Sequence, residues 1–384
     1  MKTRDRRQIA GIRQLLPILT LAICCGTWLD AADWRMETVD PGGGGKFSSL
    51  KLDKSGNAHV AYYDEARHQL KYAFRDRKLN KWFTISLDST GGFCSLALDS
   101  KQRPHISYLL GNGKLNYIHW NGTSWDKQTL EINAKEISFY TSITLGPKDY
   151  PRIGYYEYWG LGDNYKLHLR NVAWTGERWE VNTIDTTPGS GKFNSIATAT
   201  SGLPQIAYAN VKAENAGLRY AAWNGKSWAV TVLEGATEPH PVYSVAMALD
   251  KNDEPRIVYT DLTTNVVKYA AMEKGKWQIQ PVDSVVEAAY PDRNGIALDE
   301  EGNPYLSYYD AGAGVLKVAY KLNGKWVTET VDQNSNGFTS SLQIGQGSIW
   351  MTYSDASGRS LQFAYRELGP SGTGAEAQAA SQNK

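Results

Sequence analysis

Cysteine is scarce in this chain. Of the three cysteines, Cys24 and Cys25 lie in an N-terminal segment, and only Cys94 lies beyond residue 32. Cys94 therefore has no second thiol in the remaining chain with which to form an intramolecular disulfide. We expect it to be a small core residue of a strand, in a fold that is stable without covalent cross-links.

An excess of charge of either sign is also missing. The chain has 41 basic and 40 acidic residues, which give a formal net charge of +1. Residues 1–32 carry five basic and two acidic side chains, so their removal changes the net charge to −2. A nearly neutral body lacks the positive field that nucleic-acid binding requires, and we expect no nucleic-acid partner.

Long apolar runs are limited to the N-terminus. Basic residues there precede an apolar run at residues 15–25, which is too short to span a bilayer comfortably. We interpret residues 1–32 as a signal peptide and expect a secreted, periplasmic or cell-surface protein with no membrane span after cleavage. Lipidation at Cys24 or Cys25 and an uncleaved anchor are the alternatives. Residues 367–384 lack apolar periodicity, and we expect them to form a disordered tail.

What the sequence has in abundance is a repeat. Seven times a tryptophan is followed, five places on, by an aliphatic residue and then an acid, as from Trp34 to Asp40 and from Trp326 to Asp332. The steps between these tryptophans are 48, 43, 54, 49, 49 and 49 residues. A period of this length is typical of repeat folds in which each unit is one supersecondary element.

Each repeat predicts four strands. The tryptophan run is one, and the others are an alternating run such as residues 47–53, an aliphatic-x-tyrosine motif such as Val60-Ala-Tyr62, and a run such as Leu70-Lys-Tyr-Ala73. Seven such units predict an all-β, seven-bladed β-propeller over residues 33–366, with four antiparallel strands per blade. The chain begins on a fourth-type strand and ends on a third-type strand. We therefore expect the N-terminal strand to complete the last blade and close the ring.

The motif tyrosine recurs in every repeat, so we expect it to pack between blades with its hydroxyl group hydrogen-bonded. Over residues 34–366 the repeat resembles that of the secreted bacterial seven-bladed propellers grouped as BNR-like or sialidase-like proteins. The resemblance implies the propeller fold and a ligand site around the central opening on one face. It does not extend to the sialidase motifs: turns such as Asn121-Gly-Thr-Ser-Trp125 lack the Ser-x-Asp part of an Asp box, and the pattern assigns no residues to an arginine triad or a Tyr/Glu nucleophile pair.

The end of the propeller where the second and fourth strands finish is called the carboxylate face below, because acids gather there. Five second strands end in an acid, namely Asp64, Glu157, Asp261, Asp310 and Asp355. Such acids suit binding of sugar hydroxyls, a cation or a basic ligand, and crowding can raise a carboxyl pKa enough for general-acid catalysis. The alternative is structural, since an acid repeated at strand ends commonly caps a turn. That alternative is strongest for the fourth-strand acids.

Aromatic residues accompany these acids. Tyr63, Tyr156 and Tyr309 each directly precede one of them. Blade three departs most from the repeat and adds Tyr158 and Trp159, which we expect in a long exposed loop. Departures from a repeat are better candidates for function than the repeat itself, and exposed aromatic rings suit stacking on a sugar. A hydrophobic plug over the channel is the alternative.

The histidines show no spacing typical of metal ligands. His59 and His105 open second strands and should lie at the end opposite to the acids. His68 and His240 lie on the carboxylate face and are candidate bases for a lyase or hydrolase. We expect no metal and no cofactor.

The favoured interpretation is a monomeric binding module for an extracellular glycan, another extracellular polymer or a protein. The alternative is a glycoside hydrolase or polysaccharide lyase that uses carboxylates around the channel. A third possibility is a structural propeller that binds a protein partner and has no small-ligand site.

Overall fold

A computed structural model confirms the seven-bladed β-propeller. It describes residues 33–110, 113–130, 140–160, 165–235, 242–286 and 294–368, without the side chains of 336–338. Seven separate sheets each contain four antiparallel strands, with the first strand of each blade at the inner edge. The predicted signal peptide and residues 369–384 lie outside the described residues. No helix in the described ranges is long and apolar enough to cross a membrane.

The strands follow the repeat. Blade one contains β2 (Lys46–Leu52), β3 (Ala58–Asp64), β4 (Gln69–Asp76) and β5 (Lys81–Asp88). Blade two contains β6 (Gly92–Leu98), β7 (Pro104–Leu109), β8 (Leu115–Trp120) and β9 (Trp125–Thr129). Blade three contains β10 (Ser142–Leu145), β11 (Pro151–Trp159), β12 (Lys166–Trp174) and β13 (Trp179–Asp185). Blade four contains β14 (Ser190–Thr198), β15 (Pro204–Asn210), β16 (Gly217–Trp223) and β17 (Trp228–Gly235).

The remaining three blades have the same arrangement of four strands. Blade five contains β18 (Val242–Leu249), β19 (Pro255–Asp261), β20 (Val266–Glu273) and β21 (Lys276–Ser284). Blade six contains β22 (Gly295–Leu298), β23 (Pro304–Asp310), β24 (Val315–Leu322) and β25 (Lys325–Asp332). Blade seven contains β26 (Ser335–Gly345), β27 (Ser348–Asp355), β28 (Leu361–Glu367) and β1 (Arg35–Asp40). Two short 3-10 helices, Pro147–Asp149 and Ala213–Asn215, lie in loops.

The N-terminal strand closes the ring as predicted. Strand β1 pairs antiparallel with β28, with Arg35 opposite Tyr365 and Glu37 opposite Phe363. Blade seven is thus completed by main-chain hydrogen bonds between the two ends of the chain, and the outer edge of β28 is covered.

The core lies between the blades. The tyrosine of each second strand is almost completely buried, at 0–1% exposure: Tyr62, Tyr108, Tyr155, Tyr208, Tyr259, Tyr308 and Tyr353. Five of the repeat tryptophans pack edge-to-face on an aromatic ring of the preceding blade, with centroids 5.0–5.3 Å apart: Trp82, Trp125, Trp179, Trp277 and Trp326. This packing explains why tryptophan and tyrosine recur at the repeat period.

The first strands line the central channel and are linked by serine side chains. The hydroxyl oxygens of four serines accept a backbone N–H from the next blade at 2.9–3.2 Å: Ser49 from Leu96, Ser95 from Ile143, Ser195 from Met247 and Ser341 from Leu50. The lumen between them is a polar cavity of about 120 Å³. Cys94 is buried, as expected, with its thiol 3.2 Å from the carbonyl oxygen of Phe47.

The face opposite to the carboxylate face holds His59 and His105, as predicted. His105 is buried, its Nδ1 lies 2.5 Å from the hydroxyl of Tyr117, and its ring stacks on His119 with centroids 5.2 Å apart. Burial, and then the charge of His119, lower the pKa of His105 from 6.5 to about 4.

This buried histidine predicts a loss of stability in mild acid. Because the pKa of His105 is lower in the folded protein than in the unfolded chain, the unfolded chain binds the extra proton first. The contribution of neutral His105 to the free energy of unfolding is fully present above pH 6.5. It is lost as the pH falls from 6.5 to about 4, and the loss is roughly 2–3 kcal/mol. Urea unfolding midpoints measured between pH 7.5 and 4.5 check this. The midpoint of His105→Gln should fall less over that interval, and equal slopes for the two proteins would contradict the assignment.

Candidate functional site on the carboxylate face

The fourth-strand acids connect neighbouring blades. In each described case the acid accepts a hydrogen bond from the motif tyrosine of the next blade, at 2.5–2.9 Å: Asp40 from Tyr62, Asp88 from Tyr108, Asp185 from Tyr208, Glu234 from Tyr259, Asp283 from Tyr308 and Asp332 from Tyr353. Glu131, the seventh fourth-strand acid, lies outside the described residues. The expected hydrogen bond to the tyrosine hydroxyl is therefore present, and these acids are part of the scaffold.

Three of the second-strand acids pair with a lysine of the third strand in their own blade. The ammonium Nζ of Lys268 lies 2.8 Å from Asp261, and that of Lys317 lies 3.1 Å from Asp310. Asp64 lies 3.8 Å from Lys71 Nζ and 2.9 Å from the guanidinium of Arg67. The same lysines also contact the fourth-strand acids of the preceding blade. Asp64, Asp261 and Asp310 are therefore buried members of an inter-blade ion-pair network.

The other two second-strand acids also have partners. Glu157 is buried, and its Oε2 lies 2.8 Å from Nη2 of Arg170 on the neighbouring strand. Asp355 accepts hydrogen bonds from Ser357 and from the backbone N–H groups of Arg359 and Ser360, which makes it a turn cap. All five candidate acids are thus engaged within the protein.

At two of these positions the carboxyl pKa is lowered, which is the opposite of what a general acid requires. Burial alone would raise the pKa of Asp261, but hydrogen bonds from Lys268 and Thr264 lower it overall. Hydrogen bonds from Ser357 and nearby backbone groups likewise outweigh burial and lower the pKa of Asp355. The expectation that crowding raises a carboxyl pKa is wrong for these two groups, because each acid has donors and not another acid beside it.

The aromatic candidates have different environments. Tyr156 is 1% exposed and packs in the core between blades three and four. Tyr309 is half-buried at the end of β23. Tyr63 is half-buried, and its hydroxyl lies 2.9 Å from Nδ1 of His68. Burial, followed by the charges of Glu65 and Asp64, raises the pKa of Tyr63, so this phenol keeps its proton. Tyr63 and Tyr309 therefore present part of their rings at the carboxylate face, whereas Tyr156 does not.

The prediction that Tyr158 and Trp159 lie in an exposed loop is wrong. Strand β11 continues through both residues, with Tyr158 opposite Leu167 and Trp159 opposite Lys166. Aromatic residues favour a pleated, half-buried surface, so the hairpin between β11 and β12 extends beyond the repeat length. Both rings are half-buried, and residues 161–164 lie outside the described ranges.

The extended hairpin fixes both rings. Trp159 meets His168 edge-to-face with centroids 4.4 Å apart, and Tyr158 stacks on Tyr165 at 6.2 Å. Burial, and then the charge of Arg170, lower the pKa of His168, which favours its neutral form beside the indole. A rigid strand orients these rings better than an exposed loop would.

A second group of aromatic residues, not predicted from the sequence, lies at the channel mouth. One ring from each of blades one to five forms a chain, called the aromatic arc below: Phe47, Phe93, Tyr140, Phe193 and Tyr243. Successive ring centroids are 4.0, 5.3, 4.8 and 4.7 Å apart. Phe47, Phe93 and Tyr140 are half-buried, and the other two are buried. The arc is a curved apolar floor at the start of the first strands.

The backbone under the arc is unusual. Phe47, Phe93, Tyr140 and Phe193 have φ values of 54°, 51°, 68° and 52°, in the left-handed region. The pairing of β2 with β3 and of β14 with β15 is interrupted by register shifts at this point. A left-handed aromatic residue costs about 1–2 kcal/mol, and bulges commonly re-aim side chains near functional sites. Because this left-handed residue recurs from blade to blade, it is a feature of the scaffold that sets the direction of the aromatic side chains.

The signal available in the sequence was the aromatic residue that recurs at the start of the first strand. No group of three His, Cys, Asp or Glu side chains that could hold a metal occurs in the described part of the chain. His240 lies outside the described residues.

Solved structures with the same fold include lectins and a lyase. The fucose-specific lectin from Aleuria aurantia has a TM-score of 0.55 and 15% identity, with 78% of this chain and 98% of that chain covered. Polysaccharide lyase Uly1 has a TM-score of 0.53 and 12% identity, with 86% and 91% covered. SapL1 lectin, solved with α-methyl fucoside, has a TM-score of 0.51 and 15% identity, with 76% and 97% covered.

The Aleuria lectin is a six-bladed propeller, whereas this chain has seven blades, so the match leaves part of this ring uncovered. At these identities the likeness establishes the fold alone. No protein-family model matches the sequence, and no relative was found among curated proteins.

Proposed function

We propose that this protein is an exported binding module that holds a carbohydrate, or another extracellular polymer, on its carboxylate face. The observation that carries the proposal is the aromatic arc at the channel mouth, together with the half-buried rings of Tyr158 and Trp159. Tyr63 and Tyr309 are further contact residues on the same face. Tyr156, which lies in the core, supports its neighbours from below.

Aromatic rings suit a sugar because one face of a pyranose consists of C–H groups. These groups are weakly positive and apolar, and an aromatic face is weakly negative, so the two stack. The rings here are held by strands and by one another, so little conformational entropy is lost when a ligand binds. Each contact is weak, and an extended polymer would gain affinity by covering several rings.

The engaged acids favour binding over acid–base hydrolysis. A general acid or base must reach the proton that it transfers. Asp64, Glu157 and Asp310 are buried and ion-paired, so a substrate would have to displace Arg67, Arg170 or Lys317 to contact them. Lectins with the same fold add support, because two of the similar structures are lectins that bind fucose or a fucoside.

The proposal includes export by residues 1–32, membership of the BNR-like secreted bacterial propellers, and a monomeric state. A mature N-terminus near residue 33 in the secreted or periplasmic fraction would support export. Intact Met1 in that fraction would contradict cleavage of the signal peptide.

One experiment tests the binding proposal against the enzymatic alternatives. The purified protein is run through gels that contain single polysaccharides, and the same polymers are assayed for new reducing ends and for unsaturated products. We expect retardation on at least one polymer without new chain ends. Asp64→Asn and Asp310→Asn should keep that retardation within about twofold if they fold, since neither acid contacts the ligand. Retardation on no polymer would contradict the proposal.

A polysaccharide lyase is the second candidate, and the 2.9 Å contact between Tyr63 and His68 favours it. In β-elimination a base removes the proton α to a uronate carboxyl group, a C–C double bond forms, and the glycosidic C–O bond breaks. The leaving oxygen then takes a proton. His68 can act as the base, and protonated Tyr63 can supply the proton.

Unsaturated products that disappear in Tyr63→Phe, while retardation persists, would establish the lyase and overturn the pure binding module. Absence of such products from every uronate polymer would remove this candidate.

A further inference from the structure

Blades one and four carry a lysine at the same position of the fold. Lys46 lies opposite Tyr63 in the pairing of β2 with β3, and Lys192 lies opposite Ala209 in the pairing of β14 with β15. Each lysine directly precedes a left-handed phenylalanine of the aromatic arc, Phe47 or Phe193. Because Lys46 and Lys192 occupy equivalent positions, their surroundings in blades one and four can be compared directly.

In blade one the site is complete. The ammonium Nζ of Lys46 lies 2.7 Å from the carboxylate of Glu65, and the ring of Tyr63 lies at the neighbouring position. This ion pair satisfies the charge of Lys46 within the protein.

In blade four both partners are replaced. Ala209 stands where blade one has Tyr63, and Val211 stands where it has Glu65. Within the described ranges Lys192 has no carboxylate partner and no hydrogen-bond partner, and it is half-buried. Burial lowers its pKa. The substitutions have removed the counter-charge and a large ring from beside this amine.

The two chain neighbours of Lys192 are fixed by close contacts. Its neighbour Phe193 lies in the arc between Tyr140 and Tyr243, with centroid distances of 4.8 and 4.7 Å. On the other side, Gly191 has a φ of 113° and lies so close to blade three that a Cβ atom would come within 2.7 Å of Tyr156. Lys192 is thus held at the junction of blades three and four.

Nearby polar groups are already engaged. Asp185 accepts hydrogen bonds from Tyr208 and Ser190 and pairs with Arg219, and Asn210 donates to Ser190 and to a backbone carbonyl. The protein therefore supplies Lys192 with no anion of its own from these residues.

We propose that Lys192 is the anchor for an anionic group of the bound polymer, a carboxylate or a sulfate ester, so that the ligand is an acidic glycan. The inference rests on the proposed binding function and specifies its ligand class. A half-buried ammonium without a partner is costly, and an anion that pairs with it offsets this cost. A neutral sugar stacked on the arc would leave the amine uncompensated.

Matched polymers test this inference. Retardation of the purified protein is measured in gels that contain dextran or dextran sulfate, and hydroxyethyl cellulose or carboxymethyl cellulose, at 50 and 300 mM salt. The wild-type protein should bind at least one charged polymer about tenfold more tightly than its neutral partner, and less tightly at high salt. Comparing dextran sulfate with carboxymethyl cellulose shows whether Lys192 prefers a sulfate ester or a carboxylate.

Three variants assign the effect to Lys192. Lys192→Met should weaken binding to the charged polymer by roughly tenfold or more, and Lys192→Arg should keep most of it. Lys226→Met removes one exposed lysine from the turn between β16 and β17 of the same blade and should have no effect beyond about twofold.

The outcomes separate this inference from the proposed function. Equal binding of charged and neutral polymers, or a charge preference that survives in Lys192→Met, would overturn the anchor and leave the binding module intact. No retardation on any polymer, including the wider polysaccharide panel, would overturn both.

Discussion

Replacing Asp185 with alanine is expected to lower the free energy of unfolding by about 3–5 kcal/mol. Asp185 is buried and accepts hydrogen bonds from Tyr208, Ser190 and the backbone N–H of Thr187. Its carboxylate also lies 3.2 Å from the guanidinium of Arg219, which is itself buried. The alanine variant would leave that cation without its partner, and an uncompensated buried charge costs more than a lost hydrogen bond.

The matched control is Asp332→Ala in blade six. Asp332 accepts from Tyr353 at 2.9 Å and from the backbone N–H of Asn334, and it is only half-buried. We expect a loss of about 1–2 kcal/mol there. Guanidinium unfolding midpoints of the two variants give the comparison. Equal losses would mean that the ion pair with Arg219 adds nothing to the inter-blade contact.

Replacing Trp159 with alanine is expected to weaken binding to a retained polymer by roughly tenfold to a hundredfold. The indole is held edge-to-face by His168 at 4.4 Å on the last residue of β11, so it meets a ligand without losing much freedom. Tyr158→Ala should have a smaller effect, because its ring also packs against the core. Quantitative gel retardation with the polymer that the wild-type protein binds measures both effects.

Trp223→Ala is the control for loss of a half-buried indole. Trp223 ends β16, on the face opposite to the carboxylate face, and packs on Trp228 at 5.7 Å. Its replacement should change binding by less than about twofold. If Trp223→Ala and Trp159→Ala weaken binding equally, the effect reflects the stability of the propeller and not a contact with the ligand.

The scaffold was predictable because each repeated residue has the same role in most of the blades, as far as the structure describes them. The tyrosine of the second strand, the tryptophan of the fourth strand and the acid at its end form contacts between neighbouring blades, and their spacing carries the fold. Closure by β1 followed from which strand types begin and end the chain. The strength of this pattern comes from the repeat, since one blade alone would predict only a sheet.

The candidate site was predictable only in part. The five acids were placed on the correct face, but their partners Arg170, Lys268 and Lys317 come from third strands, where the sequence gives no sign of which side chains meet. The arc was not predicted because the alternating pattern places Phe47 and Phe193 in strands but does not indicate that their rings meet rings of the neighbouring blades. Their left-handed backbone arises from a bulge, and no residue type in the run indicates a bulge there.

The acids and the aromatic residues of the carboxylate face have different roles. The repeated acids that the structure describes connect neighbouring blades, and their hydrogen bonds and ion pairs are made within the protein. We propose the aromatic residues at the channel mouth as ligand contacts, together with Lys192, which has no counter-ion among the described residues. The departures from the repeat at Ala209 and Val211 are informative for the same reason, because they change what one blade offers while its strands remain intact.

The decisive measurement is a crystal structure of the protein with an oligosaccharide of the retained polymer. We expect sugar rings on the carboxylate face, one of them stacked on Trp159 or on the aromatic arc, and an acidic group within 4 Å of Lys192 Nζ if the ligand is charged. Sugar density between blades at the outer edge, or on the face that carries His105, would contradict this expectation.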